Sequence, residues 1–336
     1  MKLLHVVGAR PQYMKLAPLV KEFDKEGLDF DVLHTGQHYD DSMSSNFFTE
    51  LDIEPPKFQF NNNNKPYPKM ISDMISDISS VIDDYTDVIV YGDTITTLAG
   101  ALSSTFSGKK LHHIEAGVRS KNLEMPEEKI RRLVDEASNY LYCLTEGDKD
   151  NLGHVGGEVH VVGDLMYENF LKQDQIVDIG RESYIFVTIH REENTRRKEL
   201  TSIVEQLNKL SRTRNIIFPI HPRTLSCVKK YGLKLEFEYL DAVSYRQVLF
   251  YIKNSDCVIS DSGGVPKEAY WLGKKSVVVL EGLVYPILEE EKCSIRSDYD
   301  NILESLEKLE ELPEIENFNL FGDGKTSKKI VEILNG

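Results

Sequence analysis

No run of apolar residues in this chain approaches the roughly 20 that a bilayer-spanning helix requires, so the sequence does not read as a membrane protein. Cysteine is scarce. Cys143, Cys227, Cys257 and Cys293 show neither CxxC nor His/Cys ligand spacing, which argues against structural zinc and a disulfide framework and leaves reduced thiols. Positive charge is in deficit, with 40 Lys and Arg against 55 Asp and Glu and a net charge of −15, so the basic footprint that nucleic acid demands is missing. The first strand is not followed by GxGxxG, the glycine fingerprint of dinucleotide binding. The opening residues, MKLLHVVGARPQ, have too few apolar positions for a signal peptide and read as a first β-strand, so a cytoplasmic location is expected.

What is present is a chain of 336 residues, 40% hydrophobic and 28% charged, which suits two domains of about 150 residues each. Short apolar runs alternate with amphipathic helical stretches, the rhythm of an α/β fold. Residues 2–7 form a strand that turns at Gly8 into a helix, and Arg10 and Lys15 add charge to an anion-binding helix start. Phe30 to His34 form a second strand, with Gln37 and His38 just past its edge as a possible secondary contact. Residues 55–68, including four consecutive asparagines, read as a polar loop, mobile or at the mouth of a cleft.

The densest chemistry lies between Asp93 and Arg132. Val88 to Tyr91 is a strand that delivers Asp93 to its C-terminal end, and Leu111 to Ile114 delivers Glu115 to the same edge if the two strands are parallel. Pro126, Glu127 and Glu128 mark a helix start; alone, Glu127 reads as charge complementing the helix dipole. The composition loosens near residues 165–180, and the rhythm then restarts. Two strands run directly into His190-Arg191 and His221-Pro222-Arg223, a pairing that points to an oxyanion or phosphate site. Cys257 to Ser260 ends in Asp261-Ser262-Gly263-Gly264, a backbone nest for a diphosphate, with Glu268 one helical turn on, placed to accept ribose hydroxyls.

These segments, GARP with Lys15, TGQHYD, YGDTITTLAGAL, HIEAGVRS, MPEE, HREEN, HPRT, DSGG with Glu268, and FGDG before a final helix, resemble the UDP-N-acetylglucosamine 2-epimerase family over nearly the whole chain. The resemblance implies two Rossmann-like domains in the glycosyltransferase-B arrangement with a UDP-sugar in the interdomain cleft. It divides the chain into residues 1–168 and a UDP-binding domain at 169–324, with a terminal helix at 325–336 packing back on the first. It implies a homodimer, no cofactor and no metal in the chemistry. It assigns Asp93, Glu115, Glu127 and His190 to catalysis. Arg10, Lys15, Arg119, Arg191, Glu193, Asn194, His221, Ser262, Gly263, Gly264 and Glu268 fall to the UDP-sugar, and Gln37 and His38 to a possible allosteric site. The implied reaction is anti elimination of UDP through C2 deprotonation, then re-addition after protonation from the other face, which demands carboxylates and cations together.

The chain departs from the family at residues 279–287, where a Thr-Glu-Arg-Pro-Glu segment is replaced and only the proline remains. It also carries Gln12 for the usual acid and Ile130 for the usual asparagine. Gln12, QHYD and GDLMY are closer to relatives that epimerise UDP-2,3-diacetamido-glucuronate. Interconversion of UDP-GlcNAc and UDP-ManNAc is the leading expectation. The diacetamido-uronate epimerase, a hydrolysing epimerase, a glycosyltransferase and a non-catalytic UDP-sugar sensor are its rivals.

Overall fold

The computed structural model describes residues 1–37, 48, 51–120, 122–172, 183–280 and 285–336. The chain forms two compact units, Met1–Gln173 with Asn319–Gly336, and Asp174–Phe318.

The first unit is built on seven parallel strands, β1 (Lys2–Val7), β2 (Asp29–His34), β3 (Phe58–Gln59), β4 (Asp87–Tyr91), β5 (Lys110–Ala116), β6 (Tyr140–Cys143) and β7 (Glu158–Val161), in the order 3-2-1-4-5-6-7. Such strands are near-continuous apolar runs because both faces are covered. On one face Leu3, Val7, Ile89 and Ile114 pack against helix Arg10–Glu26 and against Ile330 and Val331 of the terminal helix Thr326–Asn335. On the other, Leu4, Val6, Val88 and Leu111 meet helices Tyr67–Ser79, Ile95–Phe106 and Pro126–Ala137. Glu168 holds the start of the terminal helix, accepting from the Ser327 N–H at 2.8 Å and its hydroxyl at 2.7 Å.

The second unit repeats the plan with six parallel strands, β8 (Tyr184–Thr188), β9 (Asn215–Pro219), β10 (Tyr239–Leu240), β11 (Cys257–Ser260), β12 (Ser276–Val279) and β13 (Ser294–Ser297), ordered 10-9-8-11-12-13. The α/β fold expected from the sequence is therefore present twice. In each sheet the winding reverses once, between β1 and β4 and between β8 and β11. A reversal leaves the turns beyond the strand C-termini open to a ligand.

One expectation is corrected. The segment 55–68 is not a structureless polar loop, because Phe58–Gln59 adds β3 to the sheet edge and Asn62 is buried. Its side-chain amide donates to the Thr35 carbonyl at 2.8 Å and to Asp77 at 2.7 Å, so the asparagine run is anchored by one fully engaged member. Among the described residues no helix is long and apolar enough to cross a membrane. All four cysteines are free thiols, and burial pushes the Cys257 thiol up to about 12 and Cys293 up to about 11.

Candidate active site

β4 and β5 are neighbours in parallel register, Tyr91 opposite Ile114, so Asp93 and Glu115 leave the same edge of the first sheet. Each acid is matched to a cation. Arg131, only 5% exposed and carried on helix Pro126–Ala137, donates through Nη2 to Asp93 and through Nη1 to Glu128 at 3.4 Å. Lys15, from the helix after β1, pairs with Glu115. The ladder between β5 and β6 slips at Glu115, and the residue takes φ +70, a left-handed conformation unfavourable for a residue with a Cβ. A bulge at such a point re-aims a side chain, and strained non-glycine backbone concentrates at functional sites. Gly92 makes the space: its φ is +64, and a Cβ there would stand 3.3 Å from Lys15 Nζ and 3.6 Å from Glu115 Oε2.

The turn after β1 is joined to the turn after β4 by Gln12, which is 2% exposed. Its Oε1 accepts from the Gly8 and Ala9 N–H groups at 2.8 and 3.1 Å. Its Nε2 donates to the Tyr91 carbonyl at 2.9 Å and to Thr94 and Thr97 at 3.1 and 3.2 Å. An amide satisfies donors and acceptors at once, as the acid usual in the family could not.

In the second unit a single anion organises the corresponding turns. Asp261, fully buried at the end of β11, accepts from the His190 and Arg191 N–H groups at 2.9 and 2.8 Å and from Asn194 Nδ2 at 3.2 Å. His190 Nδ1 lies 3.1 Å from its other oxygen. Burial alone would raise this carboxyl, but the hydrogen bond and charge of His190 and the two backbone donors hold it below the ordinary value. The HPRT segment grips the same loop from β9, as Thr224 Oγ1 donates to the Ile189 carbonyl at 2.6 Å and Arg223 to the His190 carbonyl at 3.4 Å. His221 starts the following helix by accepting from the Arg223 N–H, with its ring 5.8 Å from that of His190. Partial burial, then the neighbouring His190 and Arg223, lower its pKa.

Ser262, Gly263 and Gly264 are partly exposed at the start of helix Val265–Trp271, where Ser262 Oγ accepts from Gly264 and Val265 N–H at 3.2 and 3.4 Å. Among the described residues, a Cβ on Gly264 would meet nothing within 4 Å.

The other sequence-predicted residues divide. Arg10 is exposed beside the β1 turn, Arg191 pairs with Glu193 at 3.6 Å, and Glu127 is exposed at its helix start. It is the next residue, Glu128, that lies fully buried, accepting from Ser120 N–H and Arg132 at 2.8 Å each. Lys15, Arg119 and Asn194, expected on the substrate, are committed to Glu115, to Asp135 at 2.6 Å and to Asp261 respectively. Glu268 is 5% exposed. Gln37 accepts from the Thr96 N–H and hydroxyl at 2.9 Å, fixing it to the helix after β4. His38 lies outside the described residues. Sequence reading did not single out Arg131, His113 or Asp135, and took Glu128 only as part of a helix start; the i, i+3 spacing of Glu128 and Arg131 was the available signal. No cluster of potential metal ligands occurs among the described residues.

Comparison with known proteins follows the same lines. The chain is 37% identical to a UDP-N-acetylglucosamine 2-epimerase homolog of Methanococcus maripaludis, and 36% identical to the UDP-2,3-diacetamido-2,3-dideoxy-D-glucuronate 2-epimerase of Pseudomonas aeruginosa, over 99% of both chains in each case. The crystal structure of Methanocaldococcus jannaschii UDP-GlcNAc 2-epimerase, in complex with UDP-GlcNAc and UDP, matches with a TM-score of 0.87 and 31% identity, over 100% of this chain and 99% of that one. The sequence model of the family described as UDP-N-acetylglucosamine 2-epimerase matches residues 21–335, and the chain belongs to that family.

Proposed function

We propose that this chain is a non-hydrolysing UDP-GlcNAc 2-epimerase that interconverts UDP-GlcNAc and UDP-ManNAc. The observation carrying this reading is the pairing of Asp93 with Arg131 and Glu115 with Lys15 at the ends of adjacent parallel strands. A carboxylate takes the proton from C2, that C–H pair becomes the C1=C2 bond, and UDP leaves with the C1–O pair. Protonation of the glycal at C2 from the opposite face and re-addition of UDP complete the epimerisation. The paired cations hold both carboxylates in place at their strand ends in a partly buried setting. Taken by itself, the second unit offers His190, Arg191 and the Ser262–Gly264 turn to a diphosphate and Glu268 to a ribose. No step calls for a cofactor. A cytoplasmic homodimer serving polysaccharide synthesis accords with such a reaction.

The 36% identity to the diacetamido-uronate epimerase supports a second substrate, with the same reaction at C2. Proton NMR in D2O separates the readings. Loss of the C2 proton of UDP-GlcNAc with growth of UDP-ManNAc is the expected result, whereas free ManNAc with UDP marks hydrolysis. Turnover of the diacetamido-uronate alone transfers the reading to that sugar, and inertness to both leaves a transferase or a sensor.

A further inference from the structure

His113 and Asp135 belong to none of the roles above, yet they join the two turns that carry the acids. His113 is fully buried on β5, with Nδ1 2.7 Å from Asp135 Oδ1 and Nε2 2.8 Å from the Gly92 carbonyl. Both neighbours are acceptors, and a neutral imidazole has one N–H to give. The Gly92 carbonyl can only accept, so a bare Nε2 would face its lone pair in a dry interior, and a proton lies on Nε2. The Nε2–H is thus donated to the carbonyl immediately before Asp93. The second oxygen of Asp135 accepts from Arg119 Nη1 at 2.6 Å and from the Gly117 N–H at 3.3 Å, two residues beyond Glu115. Asp135 is itself fully buried.

We propose that His113 and Asp135 are positioning residues for the C2 chemistry, a buried pair that fixes the Asp93 turn and the Glu115 turn relative to one another. Asp135 sets the ring, the ring holds Gly92, and the same carboxylate holds Gly117 and Arg119. A simple core pair would have no need to end on the backbone flanking both acids. The proposal rests on the epimerase reading for what the acids do, but its geometry can be tested without turnover.

The test uses the full chain and two substitutions. Asparagine at 113 keeps a donor near Nδ1 and loses Gly92, whereas glutamine reaches toward the Nε2 position and keeps it. His113→Asn is expected to lower kcat by about 100-fold while KM for UDP-GlcNAc and affinity for UDP change less than about threefold, because only the reacting groups are displaced. His113→Gln is expected to recover about tenfold of that loss, provided cooperative melting shows both variants folded. Equal losses in both variants, or a loss carried by KM, would reduce the pair to a structural role. Nitrogen-15 NMR of histidine-labelled wild type is the second arm, with His113 assigned by its disappearance in His113→Asn. A proton on Nε2, donated to the Gly92 carbonyl, is expected. A bare Nε2 would overturn the geometry. If the wild type leaves UDP-GlcNAc unchanged, the substrate reading has failed, and the NMR arm still decides the pair.

Discussion

The two units share one strand order and differ in the charge they collect at the point where it reverses. In the first, the turns after β1 and β4 are joined by a neutral amide, Gln12. In the second, those after β8 and β11 are joined by an anion, Asp261. The neighbours explain the choice. Around Gln12 stand two backbone N–H donors, the Tyr91 carbonyl and two threonine hydroxyls, which an amide meets with its two ends. The turns of the second unit carry His190, Arg191 and Arg223, and a buried carboxylate balances them while absorbing two backbone donors. One topology thus gathers carboxylates in one unit and cations in the other, because its turns can be fastened by side chains of either polarity.

Removing charge from the acid side should have the largest effect. Asp93→Asn is expected to lower turnover by about 1,000-fold, or roughly 4 kcal/mol in the barrier, while UDP affinity measured by calorimetry stays within about tenfold. A fully active variant would remove Asp93 from the catalytic set.

Asp261→Asn strikes the other fastening. It leaves a cationic loop around a neutral side chain, and a loss of about 3 kcal/mol of stability at pH 7 is expected from urea unfolding. The pH dependence follows from the depressed folded pKa. The contribution is fully present above the unfolded carboxyl value of about 3.9 and is lost as pH falls toward the folded value, so wild type and variant should converge below about pH 4. A difference that grows in acid would contradict the assignment.

Gln12→Ala should cost about 1–3 kcal/mol, since the Gly8 and Ala9 N–H groups and the Tyr91 carbonyl lose a buried partner. Its kinetic signature should be a fall in kcat with UDP affinity unchanged, the reverse of a lesion in the second unit. Gly264→Ala is the mildest for folding, within about 0.5 kcal/mol, because its Cβ enters open space at an ordinary φ of −90°.

Much of this was legible in the sequence for physical reasons. Parallel strands buried on both faces must be apolar, so each strand end is marked where the run meets Gly92-Asp93, Glu115, His190 or Asp261. The fastenings were not legible. Gln12 could be read as a departure from a motif, but nothing in its neighbours announces that it spans to Tyr91, 79 positions away. The bulge at Glu115 is equally silent, since the residue before Ala116-Gly117 shows no glycine to mark its positive φ. Glu127 and Glu128 are adjacent at a helix start, where only packing decides which is buried. The asparagine run misled because composition cannot reveal the burial of one of four identical residues.

The division of labour between the units is tested most directly by measuring C2 deuterium exchange at saturating UDP-GlcNAc and UDP affinity side by side in Asp93→Asn and Gly264→Ala. The account predicts opposite lesions: exchange abolished with UDP binding retained in the first, and UDP binding weakened by about tenfold or more, with exchange recovered at saturation, in the second. Loss of both properties in both variants, or normal exchange in Asp93→Asn, would contradict it.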